Sequence, residues 1–177
     1  GLNFTKPSEP YSFLFKAFHK GLKDHPLYIE FADWWNFEHF RSEDFLKEEF
    51  NGKKIMAVVE QAYIAYSKSL LGLMYIDVTS GTIEKFDVVK IKEFLPLLDQ
   101  IIENHPDYQY PPYFKAKMLI ALGSEEDALS AFLPFAKQKR NDFWVWEIMA
   151  EIFFNDKELQ FACYCKALSL RTPEDFL

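Results

Sequence analysis

The 177-residue sequence contains six glycines, and none of them builds a phosphate-cradling loop or a nucleophile elbow. P-loop phosphate binding and Gly-x-Ser-x-Gly hydrolase chemistry are therefore excluded by motif. There are two cysteines, Cys163 and Cys165, two positions apart. That spacing is too short for an ordinary disulfide and differs from the two-residue separation of redox motifs. It leads to the expectation of a reduced, cytoplasmic protein with both thiols packed in a helix. Four histidines, His19, His25, His39 and His105, form neither His-Glu-x-x-His nor the Glu-x-x-His of di-iron bundles. No metal or other cofactor is expected. His25 and His105 each precede a proline at a helix end, where they are expected to cap carbonyls and complement the dipole.

Positive charge is also in short supply. Twenty Lys and Arg face 27 Asp and Glu, a net charge of −7, the wrong sign for a chain that mainly neutralises phosphates. The densest basic cluster, Lys137, Lys139 and Arg140, reads as cations at a helix C-terminus. Acidic pairs such as Glu48-Glu49 and Glu125-Glu126 read as solvated surface. No apolar run approaches the ~20 residues of a membrane helix, so no membrane partner is expected. Gly1 at the start and an ending on Thr172-Pro173-Glu174-Asp175-Phe176-Leu177, as if opening another helix, suggest a piece of a longer protein.

What is present is helical pattern. Ser8 with Pro10 opens a helix carrying Phe13, Leu14, Ala17, Phe18 and Leu22. A short helix follows with Tyr28, Phe31, Trp34 and Trp35, and Ser42-Glu43-Asp44 reads as an N-cap with acids in the first turn. Lys54 to Leu71 has the longest clean apolar face, through Ile55, Val58, Val59, Ala62, Ala65, Tyr66 and Leu70. Tyr75 to Asp87 is expected to be a loop, with a hairpin around Thr79-Ser80-Gly81 as the alternative. Beyond it come helices from Asp87 to Asn104, Tyr110 to Leu122, Ser124 to Lys139, Asn141 to Phe154 and Asn155 to Leu170, with Ser124-Glu125-Glu126-Asp127 as a capping-box variant.

Self-similarity appears at a period of 34 residues. Ala116 and Ala150, Leu119 and Phe153, and Ala128 and Ala162 are each 34 apart. Small residues at these places let paired helices approach closely while large ones fill the space between. Phe94-Leu95-Pro96 and Phe132-Leu133-Pro134 share a tripeptide followed by Gln100 and Gln138, as two equivalent proline kinks would. With Trp146 at the early aromatic position and Tyr164-Cys165-Lys166-Ala167-Leu168 at the end, the pattern resembles the tetratricopeptide (TPR) repeat. It departs from that repeat at Lys115-Ala116 and Met149-Ala150, where Leu-Gly is usual. It departs also at Pro112, at Arg140, and by one residue in the last helix.

The strings Phe31-Ala32-Asp33-Trp34-Trp35, Ser42-Glu43-Asp44-Phe45, Asn141-Asp142-Phe143-Trp144-Val145-Trp146-Glu147 and Cys163-Tyr164-Cys165-Lys166-Ala167-Leu168 resemble bacterial TPR proteins associated with TOTE-type conflict systems. That resemblance implies helical proteins of unassigned biochemistry, some with a small β-barrel nucleic-acid-binding module after the helices, and supplies no catalytic residues.

The sequence therefore predicts an all-α protein of antiparallel hairpins stacked as a TPR-like right-handed superhelix. Residues 87–177 carry the repeats, and residues 1–86 form a non-repeat helical segment of the same continuous domain. Aromatics make up 18% of the chain. Stacking is expected to bury both members of Trp34/Trp35 and of Trp144/Trp146, with exposure of one in each pair as the alternative. Projecting the repeat places Tyr113, Lys117 and Ile120, then Glu147, Glu151 and Phe154, in a groove with Trp144 at one lip. Glu147 and Glu151 carry the wrong charge for the basic clamp of chaperone-binding TPRs, so a basic or amphipathic helical ligand is the expected partner. The function expected is a non-enzymatic protein-interaction scaffold. A nucleic-acid-associated accessory module of a conflict system is the alternative.

Overall fold

The computed structural model describes residues 4–72 and 87–170. Among them the protein is all-α but for one small hairpin. α1 (Glu9–Leu22) begins where Ser8 Oγ accepts the Tyr11 amide at 3.3 Å, with Pro10 in the first turn. α2 (Tyr28–Trp35) follows. Two 3-10 turns, Phe37–His39 and Ser42–Phe45, carry the chain to β1 (Glu48–Phe50) and β2 (Lys53–Ile55).

Three local expectations are corrected here. Ser42 is not an N-cap: Arg41 occupies that place, and Asp44 is buried rather than facing a helix dipole. Its Oδ2 accepts the Arg41 amide at 3.0 Å and the Ser12 hydroxyl at 2.5 Å, which ties the turn to α1. The stretch from Lys54 does not start a helix either. Lys53–Ile55 pairs antiparallel with Glu48–Phe50, and α3 spans Val58–Leu70. The cause is Asn51-Gly52, both at positive φ (53° and 73°), which close a two-residue turn of the mirror-image kind that suits a right-twisted hairpin. Nor does His25 cap a carbonyl; its Nδ1 accepts the Leu27 amide at 3.1 Å. His105 stacks between Phe45 and Tyr108, with ring centroids at 5.0 and 4.8 Å. The loop expected over Tyr75 to Asp87 lies outside the described residues except for Asp87, whose side chain caps α4 (Val88–Asn104) by accepting the Lys90 amide at 3.0 Å.

Four helices complete the described chain: α5 (Pro111–Ala121), α6 (Glu125–Gln138), α7 (Phe143–Ile152) and α8 (Lys157–Ser169). α5 ends on Gly123 at φ 72°, with Ser124 N bonded to Leu119 O and Gly123 N to Ile120 O, both at 2.9 Å. These are the paired closing bonds that a left-handed glycine permits. The capping-box reading of Ser124 is corrected, since no side-chain bond forms there, and the same holds for Asp142. Asp156 does cap α8, accepting the Leu159 amide at 3.1 Å.

α5 packs along α6 and α7 along α8; α3 lies against α5 and α5 against α7. Two hydrophobic clusters result. The first joins α1 to α4 around Tyr11, Phe15, Tyr28 and Trp35, and it reaches Phe114 and Met118 of α5. The second holds Ala116, Ala128, Phe132, Val145, Ile148 and Ala150, and Tyr113 packs against both. Buried positions repeat at 34 residues between α5 and α7: Phe114 and Ile148, Ala116 and Ala150, Met118 and Ile152. Phe94 and Phe132 are both buried and the prolines two residues on sit inside continuous helices, on the exposed side.

In the last helix the packing position expected at Ala162 is corrected. Ala162 is exposed, and Cys163 and Ala167 are buried instead, 35 residues after Ala128 and Phe132. Cys165 is exposed as well, against the expectation that both thiols pack inward. The tryptophan expectation fails at its first pair. Trp35 is fully buried, stacked 4.8 Å from Tyr11, whereas Trp34 is 64% exposed. Trp144 and Trp146 are half-buried.

Candidate recognition groove

Tyr113, Lys117 and Ile120 recur at four- and three-residue intervals along α5, and Glu147, Glu151 and Phe154 do the same from α7 into the turn after it. That spacing puts each trio on one helix face, and the packing of α5 on α7 brings the two faces together. Lys117 Nζ lies 2.7 Å from both carboxylate oxygens of Glu151 and 6.0 Å from the Tyr113 ring centroid. Tyr113 meets Trp144 edge to face at 5.7 Å, and Trp144 continues onto Phe135 at 5.7 Å. Four of the seven predicted residues thus bind one another across the seam between hairpins.

The other three do not join these contacts, and Ile120 packs against the second hydrophobic cluster. Ile120 is half-buried, Glu147 is exposed, and Phe154 is 60% exposed with Lys157 Nζ 4.1 Å over its ring. A 330 Å³ cavity opens here, lined by Ile120, Glu125, Glu151, Phe154, Gln160 and Tyr164. The electrostatic setting is negative. Burial raises the Tyr113 hydroxyl above its ordinary range, and the charges of Glu151 and Glu147 raise it further. Lys117, the cation projected into the groove, is neutralised by Glu151 within the protein. Glu151 is neutralised in the same pair, so the carboxylates left to an incoming ligand are Glu147 and Glu125, beside an apolar floor.

Sequence projection missed the contribution of α8. Phe161, Tyr164 and Leu168, at 70%, 44% and 72% exposure, share one exposed face of α8, and Tyr164 reaches the cavity beside Glu151 and Phe154. Their spacing of three and four residues was visible, but assigning Ala162 to the packed side rotated the helix and hid them. Among the described residues, no group of three or more His, Cys, Asp or Glu side chains is placed to hold a metal ion, and no helix is long and apolar enough to cross a membrane.

A family described as a domain of unknown function (DUF7017) matches residues 109–177. Less than half of the chain is matched, yet the match takes in α5 to α8 and every residue of the groove. No curated protein and no solved structure matches the chain.

Proposed function

We propose that the protein is a non-enzymatic interaction scaffold of TPR-like build, working in a reducing, cytoplasmic setting. Its α7–α8 end would receive a helical segment of a partner protein. The observation that carries this reading is the exposed apolar surface of Phe154, Phe161, Tyr164 and Leu168, with the carboxylates of Glu147 and Glu125, unpaired among the described residues, beside it. Monomeric proteins seldom leave large apolar side chains clustered in water unless the cluster meets a partner. An amphipathic helix would lay its apolar face there, with basic residues towards the carboxylates. The 34-residue recurrence of buried positions supports the TPR-like description, in which successive first helices line a common groove.

The test is affinity recovery from source-cell lysate with and without nuclease, using the protein and a Phe154→Asp/Phe161→Asp variant. Both side chains are mostly exposed, so the variant keeps its fold. The proposal predicts proteins that survive nuclease and are lost with the variant. Nuclease-sensitive recovery would favour instead a nucleic-acid-associated accessory module of a conflict system, for which Lys20 of α1 and Lys23 just after it line one cavity beside Lys16, which pairs with Glu48.

A further inference from the structure

A second cavity, of 520 Å³, lies at the other end of the molecule where α2, α3 and α4 meet. That volume falls within the roughly 300–1,000 Å³ of small-molecule sites. Its wall is aromatic. Phe37 stands 5.1 Å from Tyr63 and 5.6 Å from Tyr66, and Phe94 stands 5.3 and 4.6 Å from the same two rings. Its rim is acidic, with Asp33 from α2, Glu38 from the following 3-10 turn and Glu93 from α4.

The charges of this cleft are unevenly satisfied. Asp33 accepts the Tyr66 hydroxyl at 2.7 Å and binds the Lys90 ammonium. Glu93 and Glu38 pair with no cation among the described residues. The resulting field reaches the aromatic wall. Burial first, then the hydrogen bond and charge of Asp33, then the charges of Glu93 and Asp87 push the Tyr66 hydroxyl far above its usual range. Lys90 itself demonstrates the chemistry, since an ammonium already sits on one of the three rim carboxylates. Asn36, at φ 64° and ψ 115°, forms the lip; its Oδ1 accepts the Glu38 backbone amide at 3.0 Å, and its Nδ2 donates to the Glu38 carboxylate at 3.5 Å. Asparagine tolerates a positive φ, but a ψ of 115° lies outside the left-handed basin and persists where the surroundings fix it.

We infer that this cleft binds an organic cation, an alkylammonium or guanidinium group on an aliphatic stem. The cationic head lies against the free rim carboxylates, and the stem lies along the aromatic wall. Ammonium and guanidinium groups are drawn to aromatic faces and carboxylates together, and a cleft offering both discriminates against anions and neutral solutes. The site is separate from the α7–α8 surface, and neither reading depends on the other.

The chemistry has two sources, a free polyamine or a basic side chain presented by a peptide, and one experiment distinguishes them. The full chain, ¹⁵N-labelled, is titrated at constant ionic strength with spermidine and separately with N-acetyl-arginine methylamide. Saturable shifts confined to the backbone around Asn36, Glu38, Lys90 and Glu93 are expected. The Glu38→Gln/Glu93→Gln variant should weaken binding on the order of tenfold, since each replaced carboxylate removes a charge-assisted contact. Both side chains are exposed, and thermal unfolding of the variant should match that of the parent. Saturation by spermidine alone assigns a polyamine, and saturation by the arginine derivative alone assigns a peptide side chain. No saturation by either, shifts scattered over the acidic surface, or an unchanged affinity in the variant would overturn the inference.

Discussion

Replacing Glu60 by glutamine and by alanine separates two roles of one buried carboxylate. Glu60 sits in α3 at 1% exposure, and its Oε1 accepts the Gln109 amide at 2.9 Å from the turn between α4 and α5. Lys47 Nζ lies 3.9 Å from Oε2 and 2.9 Å from Asp107, so the cluster ties α3 to the chain before β1 and to the start of the α5–α8 unit. Burial raises the Glu60 carboxyl above the usual carboxylate range, more than the Gln109 amide and Lys47 lower it. A raised carboxyl pKa means that the folded chain holds the proton more tightly than the unfolded one. The stability this contributes is present in full below about pH 4.3, the ordinary Glu value, and is lost as pH rises through the folded pKa. Glutamine keeps the acceptor and has no charge to desolvate. Glu60→Gln should therefore gain on the parent as pH rises from 4 to 8, by about 1.4 kcal/mol for each unit of upward displacement. Glu60→Ala leaves the part-buried Gln109 amide without its acceptor and should cost about 1 kcal/mol more than glutamine. Urea unfolding followed by tryptophan fluorescence at pH 5 and pH 8 measures both. Alanine no worse than glutamine, or a parent-to-glutamine difference that is flat with pH, would refute the reasoning.

Three further outcomes are expected. Trp35→Ala should lose about 3–5 kcal/mol, while Trp34→Ala, at an exposed site, should lose under about 1 kcal/mol in the same unfolding assay. His19, buried with Nδ1 2.7 Å from the Tyr28 hydroxyl, has its pKa lowered to about 4, chiefly by desolvation and further by Lys23. Its neutral form stabilises the fold above pH 6.5, and stability should fall by on the order of 1 kcal/mol per pH unit between about pH 6 and 4.5, a slope absent from His19→Gln. Lys117→Glu should destabilise by about 1 kcal/mol because it sets two carboxylates against each other, and the double exchange Lys117→Glu/Glu151→Lys should restore most of that loss.

The sequence made the helices legible because periodicity and caps are local. The 34-residue spacing even anticipated that Lys117 and Glu151, one repeat apart, would occupy equivalent faces of neighbouring helices. It did not anticipate that they would bind each other, because a projected register shows which way a side chain faces and not what meets it. The hairpin at Asn51-Gly52 was readable, since that dipeptide is a strong two-residue turn signal. The apolar Ile55 beside it was instead absorbed into the helical face that follows. At α8 the one-residue shift of the last helix was legible, but it was not carried through to the pairing of Ala162 with Ala128, so Cys163 took the packed position and Phe161 and Tyr164 went unnoticed. Glu60 and the α2–α4 cleft were beyond local reading altogether. Glu60 meets Gln109 across 49 positions, and Asp33 meets Lys90 across 57, so neither leaves a pattern within any one element.

The α7–α8 surface can be tested directly with designed helices of opposite charge. The ¹⁵N-labelled protein is titrated with a designed amphipathic helix bearing lysines along its polar face, and with a second helix of identical apolar face bearing glutamates. The account predicts that the lysine peptide shifts amides of α7 and α8 around Glu147, Glu151, Phe154 and Tyr164, and that the glutamate peptide binds far more weakly. Equal binding of the two peptides, or shifts that leave α7 and α8 untouched, would contradict it.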